Sequence, residues 1–187
     1  MAAEAIATPT LTSGAVRVAV SGSINLAPVG TALVAGTTGT LNAAFLPLGY
    51  LSEDGLEENF EISREQITAW QNAATVREVV TQAKMMYSGT LIETTKTNVE
   101  AYYGTTVTQS APHGTYTINP GGSSGVKALT VTILDGSDIK VVTCARAEVF
   151  KGGDAIKYAS GEAIGYPVEI VCYDNPTVYD TSLKTPA

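Results

Sequence analysis

The sequence predicts a mainly β protein, a β-sandwich or barrel with one flanking α-helix and with extended termini and loops. Three observations lead to this fold class. Long stretches alternate apolar and polar residues with a period of two, turn-forming residues separate these stretches, and only one segment has helical spacing. The 187 residues are enough for one sizeable core, so residues 1–187 are treated as a single domain.

The first half of the chain contains three predicted strands. Val16, Val18 and Val20 alternate with polar or small residues and predict a short strand near the N-terminus. A second strand has one apolar face, formed by Leu56, Phe60 and Ile62, and one polar face, formed by Glu57, Asn59 and Glu61. A third, long strand over residues 79–93 is apolar at most odd positions, and its polar even positions include Gln82 and Lys84. Residues 64–78, around Trp70, are predicted to join these two strands as an extended connection.

The second half predicts a hairpin and a final strand. Leu129, Val131 and Ile133 share one face of a strand that ends at a turn over residues 135–138. The returning strand has apolar residues at Ile139, Val141, Ala145, Ala147 and Val149, and glycines at 152 and 153 mark the next reversal. The last strand has an apolar face made by Ile164, Tyr166, Val168, Ile170 and Cys172.

One α-helix is predicted between these halves. Thr94 or Thr95 can cap its N-terminus, an apolar face has the spacing of Val99, Tyr102 and Tyr103, and Gly104 stands where a helix usually ends. Residues 105–125 are predicted to be a flexible loop because they end in a glycine- and serine-rich run. Residues 1–13 and 175–187 are poor in charge and in periodicity, which is typical of terminal arms that order against a neighbour.

The two cysteines are predicted to be free thiols on faces of opposite character. Cys172 alternates with apolar residues, whereas strict alternation places Cys144 on the same face as Lys140, Arg146 and Glu148. No charged and apolar leader of the kind that directs secretion is visible at the start of the sequence, so synthesis in a reducing cytoplasm is expected. No apolar run approaches the length needed to span a bilayer.

Composition argues against several classes of function. With 11 basic against 18 acidic residues, the net charge is −7 and the pI near 4.6, so clustered lysines and arginines that would grip phosphates are not expected. The only histidine, His113, lies beside a proline and a glycine without a nucleophile motif, and an exposed loop position is the favoured interpretation. Zinc, calcium and phosphate-loop spacings are also missing. We therefore expect no catalytic residues, no metal and no cofactor.

Six acidic residues and a single arginine lie between Glu53 and Glu65. One interpretation is a solvated strand face with acidic turns. The other is that Glu57 and Glu61 line a surface that repels polyanions and lets DNA pass without sticking. Long, well-alternated strands also leave sheet edges that need a partner, so self-assembly by edge-to-edge sheet extension is a second hypothesis.

Five segments of the central region resemble a known family. They are LGYLSEDGL (48–56), ITAWQ (67–71), VREVVT (76–81), LIET (91–94) and VEAYYG (99–104). Their order and spacing are similar to those of the major tail tube proteins of long-tailed bacteriophages, especially phages of actinobacterial hosts. The resemblance covers about residues 40–105, and the later strands fit in number and order.

The resemblance implies a structural virion protein. Members of that family form hexameric rings that stack into a hollow tube, and their inner sheets join in one barrel around a lumen through which DNA passes as non-specific cargo. Such tubes grow in the host cytoplasm from a tail tip or baseplate around a tape-measure protein and end at a terminator protein. On this basis Glu57, Glu61, Gln82 and Lys84 are expected to face the lumen, although Lys84 departs from a purely acidic lining. Trp70 is expected at an inter-subunit or inter-ring contact, with a half-buried core position as the alternative.

Two other functions share much of this pattern. A tube subunit of a contractile injection or secretion machine would have the same fold, and nothing in the sequence separates it from a phage tail tube. A monomeric β-sandwich binding module would usually show clustered exposed aromatics or a calcium site, and this chain has one tryptophan. An enzyme is the least favoured class.

Overall fold

The computed structural model describes residues 12–184 and has a mainly β architecture, with 50% strand and 8% helix. The strands are β1 (Ser21–Pro28), β2 (Leu46–Pro47), β3 (Leu51–Thr68), β4 (Thr75–Leu91), β5 (Thr108–Ser110), β6 (His113–Thr115), β7 (Val126–Asp135), β8 (Asp138–Lys151), β9 (Tyr166–Cys172) and β10 (Thr177–Asp180). Within the described residues there is one α-helix, α1 (Lys96–Tyr103), and two short 3-10 turns, Ser13–Ala15 and Thr181–Leu183. The predicted fold class, mainly β with one helix, is confirmed.

Eight strands form one antiparallel sheet in the order β2-β1-β7-β8-β9-β4-β3, with β10 also paired to β8. The sheet and α1 enclose one main core, and its largest fully buried side chains include Ile24, Leu48, Tyr87, Leu91, Leu129 and Ile170. β5 and β6 form a separate two-stranded hairpin within the predicted loop 105–125. Only the C-terminal half of β4, from Lys84 to Leu91, is buried or half-buried.

The helix forms as the sequence predicts. The Thr95 hydroxyl accepts the backbone N–H of Asn98 at 3.3 Å, which caps the first turn. Val99, Tyr102 and Tyr103 are buried against the sheet. Gly104 ends the helix in the left-handed conformation, with φ 61° and ψ 41°, where a residue without a Cβ is strongly favoured.

β3 and β4 extend well beyond the body of the protein as a hairpin arm, defined here as residues 60–85. β9 pairs with β4 only from Met85 to Leu91, so beyond Met85 the arm has no third strand among the described residues. Eight steps of β3, from Phe60 to Thr68, give it a length of about 27 Å. The predicted connection at 64–78 is therefore wrong at both ends, because cross-strand pairing continues to Thr68 and Thr75 and leaves only residues 69–74 as a turn.

The N-terminal strand begins later than predicted. Val16, Val18 and Val20 are 62–72% exposed and lie before β1, because no described element packs on the face that their alternation creates. The predicted C-terminal arm is also corrected, since β10 pairs with β8 and the chain remains on the body as far as residue 184. Of the predicted N-terminal arm, residues 1–11 lie outside the described residues, as do residues 185–187 at the other end.

Both cysteines are free, as predicted, but they do not lie on faces of opposite character. In the β7–β8 pair, Lys127 opposes Ala147 while Leu129 opposes Cys144, so β8 contains one extra residue. This β-bulge reverses the alternation and brings Cys144 to the core face. Cys144 and Cys172 are consequently 1% and 6% exposed, within the same apolar cluster.

Candidate assembly surface

The four residues predicted to face a lumen lie on one face of the β3–β4 pair. Glu61 is directly opposite Lys84, Gln82 is opposite Ser63, and Glu57 is opposite Ser88, so all of them share a face. The Lys84 ammonium is 3.7 Å from a Glu61 carboxylate oxygen. The only cation among the four predicted lumen residues is thus locally balanced by a glutamate.

The same face continues across the body through β9 and β8. Glu169 is opposite Ser88, and Glu148 follows in the next row beside Val171. We call this surface the acidic face, and its polar members are Glu57, Asn59, Glu61, Ser63, Gln82, Lys84, Ser88, Glu148 and Glu169. Sequence reasoning missed Glu148 and Glu169, although the position of Glu169 between Val168 and Ile170 in an alternating strand was a usable signal.

Hydrogen bonds fix the Glu148 side chain on this face. It accepts from the Tyr173 hydroxyl at 2.6 Å and from the Ser123 hydroxyl. The bond to Glu148 raises the pKa of Tyr173, because ionised Tyr173 would face a carboxylate. Tyr173 therefore acts as a hydroxyl donor that keeps this carboxylate in place.

The opposite face of the arm is apolar and largely exposed near the body, and towards the tip it carries Arg64, Gln66 and Glu78. In the body, the core-facing pairs of β3 and β4 are Leu56 with Gly89 and Glu58 with Tyr87. The next pairs on the same face, Phe60 with Met85 and Ile62 with Ala83, lie in the arm. We call Phe60, Ile62, Val80, Ala83 and Met85 the apolar face. Alternation predicted Phe60 and Ile62 on one face correctly, but these side chains are 62% and 51% exposed rather than part of a core.

A β-bulge at Thr81 divides the arm. Ser63 opposes Gln82, whereas Arg64 opposes Val80, so β4 has one additional residue here. Beyond the bulge the alternation of β4 reverses, and Val79 joins Glu65 on the side of the acidic face. The predicted uniform alternation from residue 79 to 91 therefore holds only from residue 82 onwards.

A tyrosine and a glutamate mark the point where the core ends and the arm begins. The buried Tyr87 donates its hydroxyl hydrogen bond to a Glu58 carboxylate oxygen at 3.1 Å. Burial raises the pKa of Tyr87, and the charge and hydrogen bond of Glu58 raise it further. A neutral tyrosine therefore closes the core at the base of the arm.

Trp70 lies at the tip of the arm and is 96% exposed. The turn is closed by a hydrogen bond from the Ala69 N–H to the Ala74 carbonyl at 2.8 Å, and Asn72 and Ala73 have positive φ. The alternative of a half-buried core position is excluded for the single chain. His113 starts the short strand β6 and is exposed, 43 positions along the chain from Trp70.

Residues 12–184 contain no group of three His, Cys, Asp or Glu side chains placed to hold a metal ion. In the same range, no helix has the length and apolar character needed to cross a bilayer. What the structure presents instead is a two-stranded arm with unpaired outer edges, an acidic face and an apolar face. A two-stranded hairpin of this kind is marginal in water, so the arm is typical of a subunit that is completed by assembly.

Comparison with known families agrees with that class. A family model described as phage tail tube protein matches residues 9–182. The chain belongs to this family, and the match extends the resemblance seen over residues 40–105 to the later strands. A search of curated proteins gives no match. Membership supports a structural role in the virion tail, assembly with copies of itself and with other tail components, and a function other than catalysis.

Proposed function

We propose that this chain assembles into stacked hexameric rings that form the hollow tail tube through which the phage genome passes into the host. The observation that carries the proposal is the two-sided arm, with an acidic face on one side and an uncovered apolar face on the other. Six is the ring size that the family resemblance implies. Assembly would take place in the host cytoplasm, with the tape-measure, tail tip or baseplate, and terminator proteins as partners.

The acidic face is the proposed lumen surface. Glu57, Glu61, Glu148 and Glu169 carry negative charge there, and Lys84 is paired with Glu61. DNA binding depends on cations that replace the counterions of the phosphates, and the cation of this surface, Lys84, is already paired with a carboxylate. A lumen lined in this way would repel the phosphate backbone weakly and evenly, so the genome could slide without being held.

The apolar face and the strand edges are the proposed contacts between subunits. Complete removal from water stabilises a large exposed side chain such as Phe60 or Ile62 by about 1.5–3 kcal/mol. The outer edge of β3, unpaired among the described residues, supplies backbone N–H and C=O groups that a neighbouring strand can satisfy. Covering one face and both edges of the arm would leave only the acidic face in water.

The first test of this proposal is negative-stain electron microscopy of the purified protein over a range of concentrations, with and without the tail tip and tape-measure proteins. Rings or tubes with a central hole are the expected result. Particles that remain single subunits under all of these conditions would overturn the proposed function.

The lumen assignment has a separate test in a phage whose tail tube gene carries Glu57→Lys and Glu61→Lys. Tubes should still form, because both side chains are exposed. Genome ejection should slow, and plaque titre should fall by roughly an order of magnitude or more, because lysines hold phosphates. The double change to glutamine should have a smaller effect. Glu162→Lys, on an exposed loop away from the arm, is the control. Normal ejection by the lysine variant would exclude the acidic face as the lumen.

A further inference from the structure

The two cysteines of the chain, at positions 144 and 172, lie next to each other in the core. Their side chains are 1% and 6% exposed, and the two thiols form a hydrogen bond with each other. The Cys144 sulfur is also 3.2 Å from the carbonyl oxygen of Arg146 and 3.5 Å from that of Asp174, which follows Cys172 closely in the chain. The proposed tube does not require a pair of thiols at this place, so the tube does not explain their contact.

A β-bulge brings the two cysteines together. Ala145 and Arg146 are both exposed, whereas Cys144 and Ala147 on either side of them are buried. Ala147 is directly opposite Cys172 in β9, so Cys144 is the next core-facing residue of β8 and lies diagonal to Cys172. With strict alternation Cys144 would point away from the core, and the two sulfurs would lie on opposite sides of the sheet.

The thiols also lie where β8 changes its partner strand. β9 pairs with β8 as far as Cys172, and β10 begins to pair with β8 at Thr177. Between these two points, a hydrogen bond from the Tyr173 N–H to the Arg146 carbonyl at 2.8 Å holds the β8 backbone on this side. Strand ends with few ladder hydrogen bonds are places where a sheet opens locally. A small reagent can therefore reach the thiols without unfolding of the whole subunit.

We propose that Cys144 and Cys172 form a disulfide within the subunit when it leaves the reducing cytoplasm and meets a peroxide. Thiols stay reduced in the cytoplasm, whereas disulfides form and persist in secreted proteins and at virion surfaces. A disulfide needs Cα atoms within about 7 Å of each other. Cys172 is the last residue of β9 and Cys144 adjoins a bulge, so the backbone at both positions can make the small adjustment that an S–S bond requires.

The reaction consumes one peroxide and both thiols. The hydrogen bond between the thiols lowers the pKa of Cys144 and, together with burial, raises the pKa of Cys172, so Cys144 is the nucleophile. Its sulfur attacks one peroxide oxygen, the O–O bond breaks, and a sulfenic acid and one water form. The Cys172 sulfur then attacks the Cys144 sulfur, the S–O bond breaks, and a second water leaves. The two thiol protons end in the two water molecules, and each sulfur has given one electron to the peroxide.

The bond would join two parts of the sheet that the subunit uses in different ways. β9 carries Glu169 on the acidic face, and the first half of β8 pairs with β10 on the body. A cross-link between residues 144 and 172 closes a long loop and removes conformational freedom from the unfolded chain. The ratio of folded to unfolded subunit should rise by about two orders of magnitude. Tails would thus be built from reduced subunits and strengthened after their release.

Peptide mapping tests the disulfide directly. The subunit is purified under reducing conditions, freed of reductant, and exposed to hydrogen peroxide before and after assembly. Trypsin separates the two cysteines, since Arg146, Lys151 and Lys157 lie between them. The expected product is one cross-linked pair of peptides that contains Cys144 and Cys172, and the subunit should remain a single chain on a non-reducing denaturing gel. After unfolding in iodoacetamide, neither thiol should be alkylated unless the protein is first reduced.

Urea midpoints measure the effect on stability. Oxidation should raise the midpoint of the unmodified subunit, and this rise should be missing in Cys172→Ala. In that variant the reaction stops at the sulfenic acid of Cys144, which a dimedone label detects. A double variant with Cys144→Ala and Thr143→Cys is the matched control, because it moves the thiol by one residue to a buried position on the other face of β8. This control should form no 143–172 cross-link.

The outcomes are distinct from those of the tube experiments. Two free thiols after an exposure to peroxide that fully oxidises dithiothreitol would overturn the disulfide, and so would disulfides between subunits in place of the internal bond. A cross-link in the Thr143→Cys control would also overturn it, because the bond would then not depend on the bulge. None of these results touches the proposed function, since electron microscopy of reduced subunits tests tube formation. A single 144–172 bond with a raised urea midpoint is the expected result.

Discussion

A buried asparagine in α1 joins the helix to the segments that precede β3 and follow β4, and its removal should destabilise the subunit by about 2–3 kcal/mol. Asn98 is 0% exposed, and its side-chain amide donates to the backbone carbonyls of Leu48 and Glu93, both at 2.9 Å. In Asn98→Ala these carbonyls lose their donor, at about 1–3 kcal/mol for each buried group. The change also removes the Oδ1 atom, which is buried without a partner, and gains about 0.5 kcal/mol of helix propensity. The net loss corresponds to a fall in Tm of roughly 4–12 °C.

Urea unfolding of the unassembled subunit, followed by circular dichroism, measures this change. Tryptophan emission is unsuitable as a probe of unfolding because Trp70 is already exposed in the folded chain. Asn98→Asp should be worse than the alanine variant at neutral pH, because it places a buried carboxylate against two carbonyl oxygens. Asn59→Ala, which removes an exposed hydrogen bond to Ser88, should change stability by less than about 0.5 kcal/mol. Equal losses in Asn98→Ala and Asn59→Ala would refute the reasoning.

Three further predictions concern the rest of the body. Burial raises the pKa of Tyr103 to about 12, so this tyrosine keeps its proton in the folded state to a higher pH than in the unfolded state, where its pKa is about 10. The contribution of Tyr103 to the free energy of unfolding should therefore be constant below pH 10 and fall between pH 10 and 12. Urea midpoints measured across that pH range test this. Gly104→Ala should destabilise by about 2 kcal/mol or more, because φ is positive and the new Cβ would lie within 2.5 Å of the Ser123 backbone; a loss below about 0.5 kcal/mol in urea unfolding would contradict this. A thiol reagent should modify neither Cys144 nor Cys172 in the native subunit and both after denaturation, and rapid reaction of the folded protein would show that the bulge in β8 is misassigned.

Local patterns predicted the elements well because their causes are local. The cap at Thr95 and the left-handed Gly104 determine both ends of α1, and each depends on the chemistry of a single residue. The turn at residues 135–138 joins β7 to β8 where the Asp-Gly signal predicts it. The same holds for the four lumen candidates, which come together because residues 57–63 and 82–88 lie on the same side of the bulge in β4.

Two errors arose where one extra residue reverses an alternation. The bulge in β8 brings Cys144 into the core beside Ala147, and the bulge at Thr81 sends Val79 to the other face of the arm. A bulge is set by how two strands pair, and the sequence of one strand contains no local signal for it. Every residue beyond the bulge is then assigned to the wrong face by strict alternation. Alternation therefore assigns residues to the two faces of a strand reliably only between bulges.

Alternation also does not show what covers an apolar face. Alternation in β3 indicated that Phe60 and Ile62 share an apolar face, and this is correct. In the structure Phe60 and Ile62 are 62% and 51% exposed, so this apolar face is not covered by the described part of the same chain. The alternation of a strand indicates that one of its faces is buried. It does not indicate whether the surface that buries this face belongs to the same chain. A long alternating strand pair that outruns its neighbours is a sign of assembly.

The β3 edge of the arm lacks two features by which proteins usually keep free strands apart. β3 contains no lysine and one arginine, and neither β3 nor β4 contains a proline. Proline and a short length are common ways to discourage pairing at an edge, and the outer edge of β3, about 27 Å long and without lysine or proline, has neither. The acidic face limits the geometry of that pairing, since stacking two copies of it would place Glu57 and Glu61 against like charge. The free edges and the apolar face are therefore left to make the contacts, and carboxylates remain on the side in water. This is the arrangement that a tube with a solvated, anionic bore requires.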